Sequence, residues 1–184
     1  MKRTLLVLAA FTVIQGTVVH AADTTMAEAA RNDDVAAAAR LIREKVDVNA
    51  ADARGFTPLI LAAYNGSPGV LRLLLEAGAD VHARDKTGAN ALMGASFKGF
   101  APIAEVLIAK GARVNDRNLI GATALMFASM SGKEAVVKLL LAGGADAALA
   151  DQRGITAALL ARQQGNDALA EMLEQASKNA TVQK

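Results

Sequence analysis

The sequence predicts an all-α solenoid of helix-turn-helix units joined by short hairpin-like turns. Two observations carry that expectation. First, a turn-helix-helix unit can be read in residues 52–84, and its landmarks recur at a step of 33 residues. Eleven of the fifteen glycines fall on this lattice. Gly55, Gly88, Gly121 and Gly154 form one set, Gly66, Gly99, Gly132 and Gly165 a second, and Gly78, Gly111 and Gly144 a third. A period this strict marks a repeat array rather than a single globular core. Second, hydrophobic residues make up 53% of the 184-residue chain but aromatics only 3%. That balance suits a stack of small helices filled by Ala, Leu and Val.

The defining unit reads DARGFTPLILAAYNGSPGVLRLLLEAGADV from Asp52 to Val81. Thr57-Pro58 is a helix start, a hydroxyl that can cap followed by a ring pre-set at helical φ. Gly66 breaks that helix, and Ser67-Pro68 reads as a second start of the same kind. Gly78 stands where the second helix should end in a left-handed residue. The segments GFTPLILAA (Gly55 to Ala63) and LLLEAGADV (Leu73 to Val81) closely resemble the ankyrin repeat, whose period is 33 residues. The resemblance covers roughly Thr25 to Ser177. It is specific for an ankyrin-repeat solenoid and nearly silent on function, because such arrays serve very different partners.

Taken in order, residues 1–21 read as a cleavable secretory signal. Lys2 and Arg3 form a charged start, Leu5 to Ile14 an apolar run broken only by Thr12, and Val19-His20-Ala21 the cleavage site. Gln15, Gly16 and Thr17 interrupt the run well short of the roughly 20 apolar residues of a membrane span. Residues 22–51 form an atypical first repeat. Thr25 to Glu28 is a capping-box pattern, Asp34 can cap the second helix, Arg40 stands on a core row, and Lys45 replaces the helix-ending glycine. Residues 52–84, 85–117 and 118–150 are full repeats. In the second of these, Asn90-Ala91 stands for Thr-Pro, and Gly94 within the first helix predicts a less stable repeat. Residues 151–177 close the array, with Thr156 and Asn166 as caps and Glu174 on a row otherwise held by Leu75, Ile108 and Leu141. The last helix is expected to end at Ala176, with residues 178–184 a flexible tail.

Four rows should form the core: Leu59, Leu92 and Leu125; Ala62, Ala95, Ala128 and Ala161; Val70, Ile103, Val136 and Leu169; and Leu74, Leu107, Leu140 and Leu173. No unit can bury these faces alone, so neighbouring repeats must supply the stability.

The residues point away from chemistry. The absence of Cys removes disulfides, thiolate catalysis and Cys-ligated zinc. Removing the leader leaves one histidine, His82, at the place held by Asn49 and Asn115 in neighbouring loops, which implies loop hydrogen bonding. The serines lack a nucleophile-elbow context, and the glycine spacing matches no phosphate-binding loop. The sequence therefore reads as no enzyme, with no cofactor and no metal. The pI near 9.0 is misleading as a sign of nucleic-acid binding. Lys2 and Arg3 are two of 20 basic residues, and no acid leaves with them, so the mature chain has 18 basic and 18 acidic residues.

What remains is a binding surface. The resemblance implies that turn tips and the ends of the first helices line a concave face. By position the tips are Arg54, Phe56, Lys86, Thr87, Leu119, Ile120, Arg153 and Ile155. The helix ends are Tyr64, Asn65, Phe97, Lys98, Met130, Ser131, Gln163 and Gln164. Phe56, Tyr64, Phe97, Leu119, Ile120 and Met130 make an apolar stripe of the kind protein interfaces use. Phe127 reads as core and Phe100 as packing in the turn between helices. The expectation is a secreted, periplasmic, non-catalytic scaffold, monomeric when free, that binds one protein partner. Rival readings are an inhibitor or immunity factor occluding an enzyme, and a peptide- or small-molecule-binding module, which would need a closed pocket.

Overall fold

The computed structural model describes residues 24–182, with side chains to Asn179, so the candidate signal lies outside the described residues. These residues form ten helices and no strand. They are α1 (Met26–Asn32), α2 (Val35–Arg43), α3 (Pro58–Asn65), α4 (Pro68–Glu76), α5 (Ala91–Lys98), α6 (Ala101–Ala109), α7 (Ala124–Met130), α8 (Glu134–Ala142), α9 (Ala157–Gln163) and α10 (Asp167–Val182). The first helices of the pairs (α1, α3, α5, α7 and α9) stack against one another in one layer. The helices α2, α4, α6 and α8 stack in a second, and α10 packs on α9.

Local chemistry fixes each start. Thr25 and Glu28 form the reciprocal capping box. The side chains of Asp34, Thr57, Asn90, Thr123 and Thr156 each accept a backbone N–H three residues on, and Asn166 does the same for Leu169. Ser67 departs from expectation, because it stands at the N-cap of α4 but its side chain makes no capping bond. Instead the Asp33 carboxylate, from the preceding repeat, accepts the Val70 N–H at 2.8 Å.

All eleven lattice glycines have positive φ, and the three other described glycines do not. The first repeat lacks glycine at both inter-helix and helix-end positions. Asp33 (φ 52°) and Lys45 (φ 60°) nevertheless take up the left-handed conformation there. The helix-ending bonds are kept there, from Asp34 N–H to Ala29 O and from Val46 N–H to Leu41 O, so both side chains accept the left-handed geometry. At the tips, Gly55 is needed for close approach, since a Cβ would stand 2.9 Å from Lys86 N.

The four rows lie between the two layers, with every member at most 3% exposed. At the far end α10 runs on to Val182, past the expected end at Ala176, so residues 178–182 are helical and not a tail; no Gly or Pro follows Ala176 to stop the helix. Glu174 is half-buried and paired with Arg162 at 2.9 Å, so the end row holds its carboxylate against a cation and not in open water alone.

Candidate protein-binding groove

Each tip is a turn closed by one acidic or amide side chain. Asp52 Oδ1 accepts the N–H groups of Arg54 and Phe56, Asp85 those of Thr87 and Ala89, Asn118 those of Ile120 and Ala122, and Asp151 those of Arg153 and Ile155. Successive tips are then tied by backbone bonds. Lys86 N–H donates to Arg54 O at 3.0 Å, Leu119 N–H to Thr87 O at 2.9 Å and Gln152 N–H to Ile120 O at 3.0 Å. Side chains add to the ladder. Arg84 bonds Arg117 O and pairs with Asp116 at 2.7 Å, and Arg117 bonds Ala150 O. The tips therefore form one braced edge.

Electrostatics follow this geometry. Burial pushes the Asp52 carboxyl up, but the N–H groups of Phe56 and Arg54 and the cations of Arg54 and Arg31 outweigh it and hold it below its ordinary value. Asp151 is also held low, first by the Ile155 N–H, against burial, and then by Arg153.

The ends of the inner helices carry an aromatic ladder. Tyr64 and Phe97, one repeat apart, stack with centroids 6.3 Å apart and planes 7° from parallel. Phe97 meets Phe127 edge-on at 6.4 Å and 88°. Such pairs add about 0.5–1.5 kcal/mol each beyond burial. Lys98 Nζ stands 5.1 Å over the Tyr64 ring, and Arg54 stands 4.7 Å over Phe56.

Between tips and ladder lies an open cavity of about 500 Å³. Its origin is visible in the lattice. Leu61, Gly94 and Phe127 occupy one register position in successive repeats, and all three line the cavity. Gly94 leaves a gap between two large side chains. Phe56 and Ala89 share a second register position, and there too the smaller residue lies in the same repeat. Ile60 and Met93 complete the apolar lining, and Arg31, Arg54 and Asp85 supply its charges.

Of the residues named from sequence, Arg54, Phe56, Tyr64, Asn65, Thr87 and Phe97 line this cavity. Tyr64 is 44% exposed. Lys86 and Lys98 are exposed beside it. Leu119, Ile120, Met130, Arg153 and Ile155 lie outside it. Leu119 and Ile120 are well exposed at the third tip, Met130 is half-buried, and Arg153 is tied to Asp151 at 2.9 Å. Phe127, expected in the core, is half-buried: it packs against the core and also forms part of the cavity wall. Arg31, Leu61 and Gly94 were also missed. The register comparison of 61, 94 and 127 was the available signal.

His82 also differs from expectation. Its backbone N–H bonds Asp80, but its ring Nδ1 is buried without a partner. The equivalent side chains of Asn49 and Asn115 accept the N–H groups of Asp80 and Asp146. Among the described residues no cluster of His, Cys, Asp and Glu could hold a metal ion, and no helix is long and apolar enough to cross a membrane.

The family described as "Ankyrin repeats (3 copies)" matches residues 6–85, 26–118 and 92–183. No curated protein matches the chain significantly. Ankyrin repeats are generally protein-interaction modules, typically non-catalytic. With its helix pairs, glycine lattice and tip ladder, and with matches that together span most of its length, the chain belongs to the ankyrin-repeat family.

Proposed function

We propose that this protein is a non-catalytic scaffold of the bacterial periplasm that binds one protein partner through the groove between tips and inner-helix ends. The observation that carries the reading is the Tyr64–Phe97–Phe127 ladder, exposed at Tyr64 and half-buried at both phenylalanines, beside the cavity lined by Gly94. A half-exposed aromatic cluster with a recess beside it is what an interface anchor requires. The rings are held by the braced helix layer, so little ordering is needed on binding. The Lys-Arg start and short apolar run of residues 1–21 support export.

The test is capture in the native cell with a C-terminally tagged chain. Its comparison is a variant with Tyr64→Ala, Phe97→Ala and Met130→Ala, shown by circular dichroism to be equally folded. One protein captured by the native chain and lost by the variant supports the groove. Equal capture by both moves the interface elsewhere. Osmotic-shock fractionation of the same cells tests location. Recovery of a shortened chain in the shocked fluid is expected, and an uncleaved chain in the membrane pellet would contradict it.

A further inference from the structure

We propose that the groove receives an acidic segment of the partner, with one aromatic or large aliphatic side chain seated over Gly94 and its flanking carboxylates on Arg54 and Lys98. The inference rests on the groove being the protein-binding surface and specifies the chemistry it selects.

The space selects the anchor. A Cβ built on Gly94 would be in ordinary contact with Tyr64 Cβ, at 3.5 Å. Tyr64 thus closes one side of Gly94, and the cavity that Gly94 lines is walled by the rings of Tyr64, Phe97 and Phe127, which favours a ring or branched chain. The charges select what flanks it. Lys98 has no ion-pair partner among the described residues and stands over Tyr64. Arg54 reaches Asp52 only at 3.6 Å, and Arg31 reaches the same carboxylate at 4.0 Å. Both contacts are longer than the roughly 2.7–2.9 Å of a firm charged hydrogen bond. The opposing carboxylates are already engaged: Asp52 Oδ1 and Asp85 Oδ1 each accept two backbone N–H groups. An incoming carboxylate finds donors with capacity to spare. An incoming lysine finds carboxylates with one oxygen already engaged in the turn, and meets the cations Arg31, Arg54 and Lys98 beside them. Basic and acidic residues balance in the chain once residues 1–21 are removed, so the preference is local to the groove.

The molecule carries its own reporter. Tyr64 is the only tyrosine and there is no tryptophan, so tyrosine emission reads this groove alone. The purified chain is titrated with three acetylated, amidated pentapeptides: phenylalanine between two pairs of glutamates, phenylalanine between two pairs of lysines, and alanine between two pairs of glutamates. The acidic phenylalanine peptide is expected to change Tyr64 emission saturably and to bind at least roughly tenfold more tightly than either control. Its affinity should fall in high salt. A variant with Arg54→Glu and Lys98→Glu should lose that preference while keeping its circular dichroism spectrum.

Equal or tighter binding of the lysine peptide overturns the proposal, as does the absence of saturable change with any peptide into the millimolar range. Binding of phenylacetate as tight as that of the acidic peptide makes the groove a small-acid site and also overturns it. Failure here with cellular capture still lost in the triple alanine variant removes the acidic assignment and leaves the groove. Capture that survives the triple variant removes the groove reading itself.

Discussion

The Asp33 carboxylate accepts the Val70 N–H at 2.8 Å, so the first repeat caps the second helix of the next. The contact depends on a bare neighbour, because a Cβ on Gly69 would stand 3.1 Å from Asp33 Oδ1 and 2.5 Å from Val35 Cγ2. Asp33 also occupies the register position of Gly66 and takes its left-handed φ. Asp33→Ala should therefore lose the cap and keep the unfavourable backbone, costing about 1–2 kcal/mol. Asp33→Gly loses the cap but relaxes the backbone and should cost less. Asp33→Asn keeps an acceptor and tolerates the conformation, so it should be nearest to the native chain. Urea unfolding of the three variants checks the order.

Lys45 presents the opposite case. It holds φ 60° at the register position of Gly78, Gly111 and Gly144. Among the described residues no hydrogen bond or ion pair of its side chain offsets the strain. Lys45→Gly should stabilise the chain by roughly 0.5 kcal/mol, the left-handed penalty less glycine's greater entropy loss on folding. A small rise in melting temperature at unchanged helix content is the expected reading, and a fall would mean that Lys45 contributes something the geometry does not show.

These two positions show what the sequence makes legible. Helix starts, the glycine lattice and the four core rows depend on residues a few positions apart or on a fixed period, so they can be read from the chain. The Asp33–Val70 bond spans 37 positions and breaks the period, and Ser67 offered a nearer and wrong capping candidate. The orphaned His82 Nδ1 stands at the register position where Asn49 and Asn115 each accept an N–H, so sharing a position in the period does not guarantee sharing the contact. The groove was half legible. Tyr64 and Phe97 follow from register, but the cavity comes from what Gly94 and Ala89 lack beside Leu61, Phe127 and Phe56. An apolar stripe drawn through Leu119, Ile120 and Met130 misses it.

Gly94→Ala separates stability from binding. The added methyl meets Tyr64 at ordinary contact distance, and the backbone there is not left-handed. Helix propensity should then raise stability by up to about 1 kcal/mol. The same methyl intrudes on the recess, so binding to the groove should weaken. A chain that becomes more stable in urea and captures less partner is the expected pair of results.

Acid sensitivity should follow Asp151. Its carboxyl is held below the ordinary value by the Ile155 N–H, against burial, and by Arg153. Its stabilising contribution is therefore complete above the unfolded aspartate value of about 3.9 and lost as pH falls through the lower folded value. Asp151→Asn can keep the turn, since Asn118 accepts the same two N–H groups one repeat earlier. It should make stability decline less steeply below about pH 4. Urea midpoints for both chains at neutral and acid pH check this, and an unchanged decline would remove Asp151 from the account.

The central claim is that one protein partner sits over the aromatic ladder. The most direct measurement is photocrosslinking in the native cell, with a photoreactive phenylalanine analogue placed at Phe97 in one strain and at Arg72, exposed on α4, in another. One discrete crosslinked protein is expected from position 97 and none from position 72. A product from position 72 alone would place the partner on the outer helix layer and contradict it.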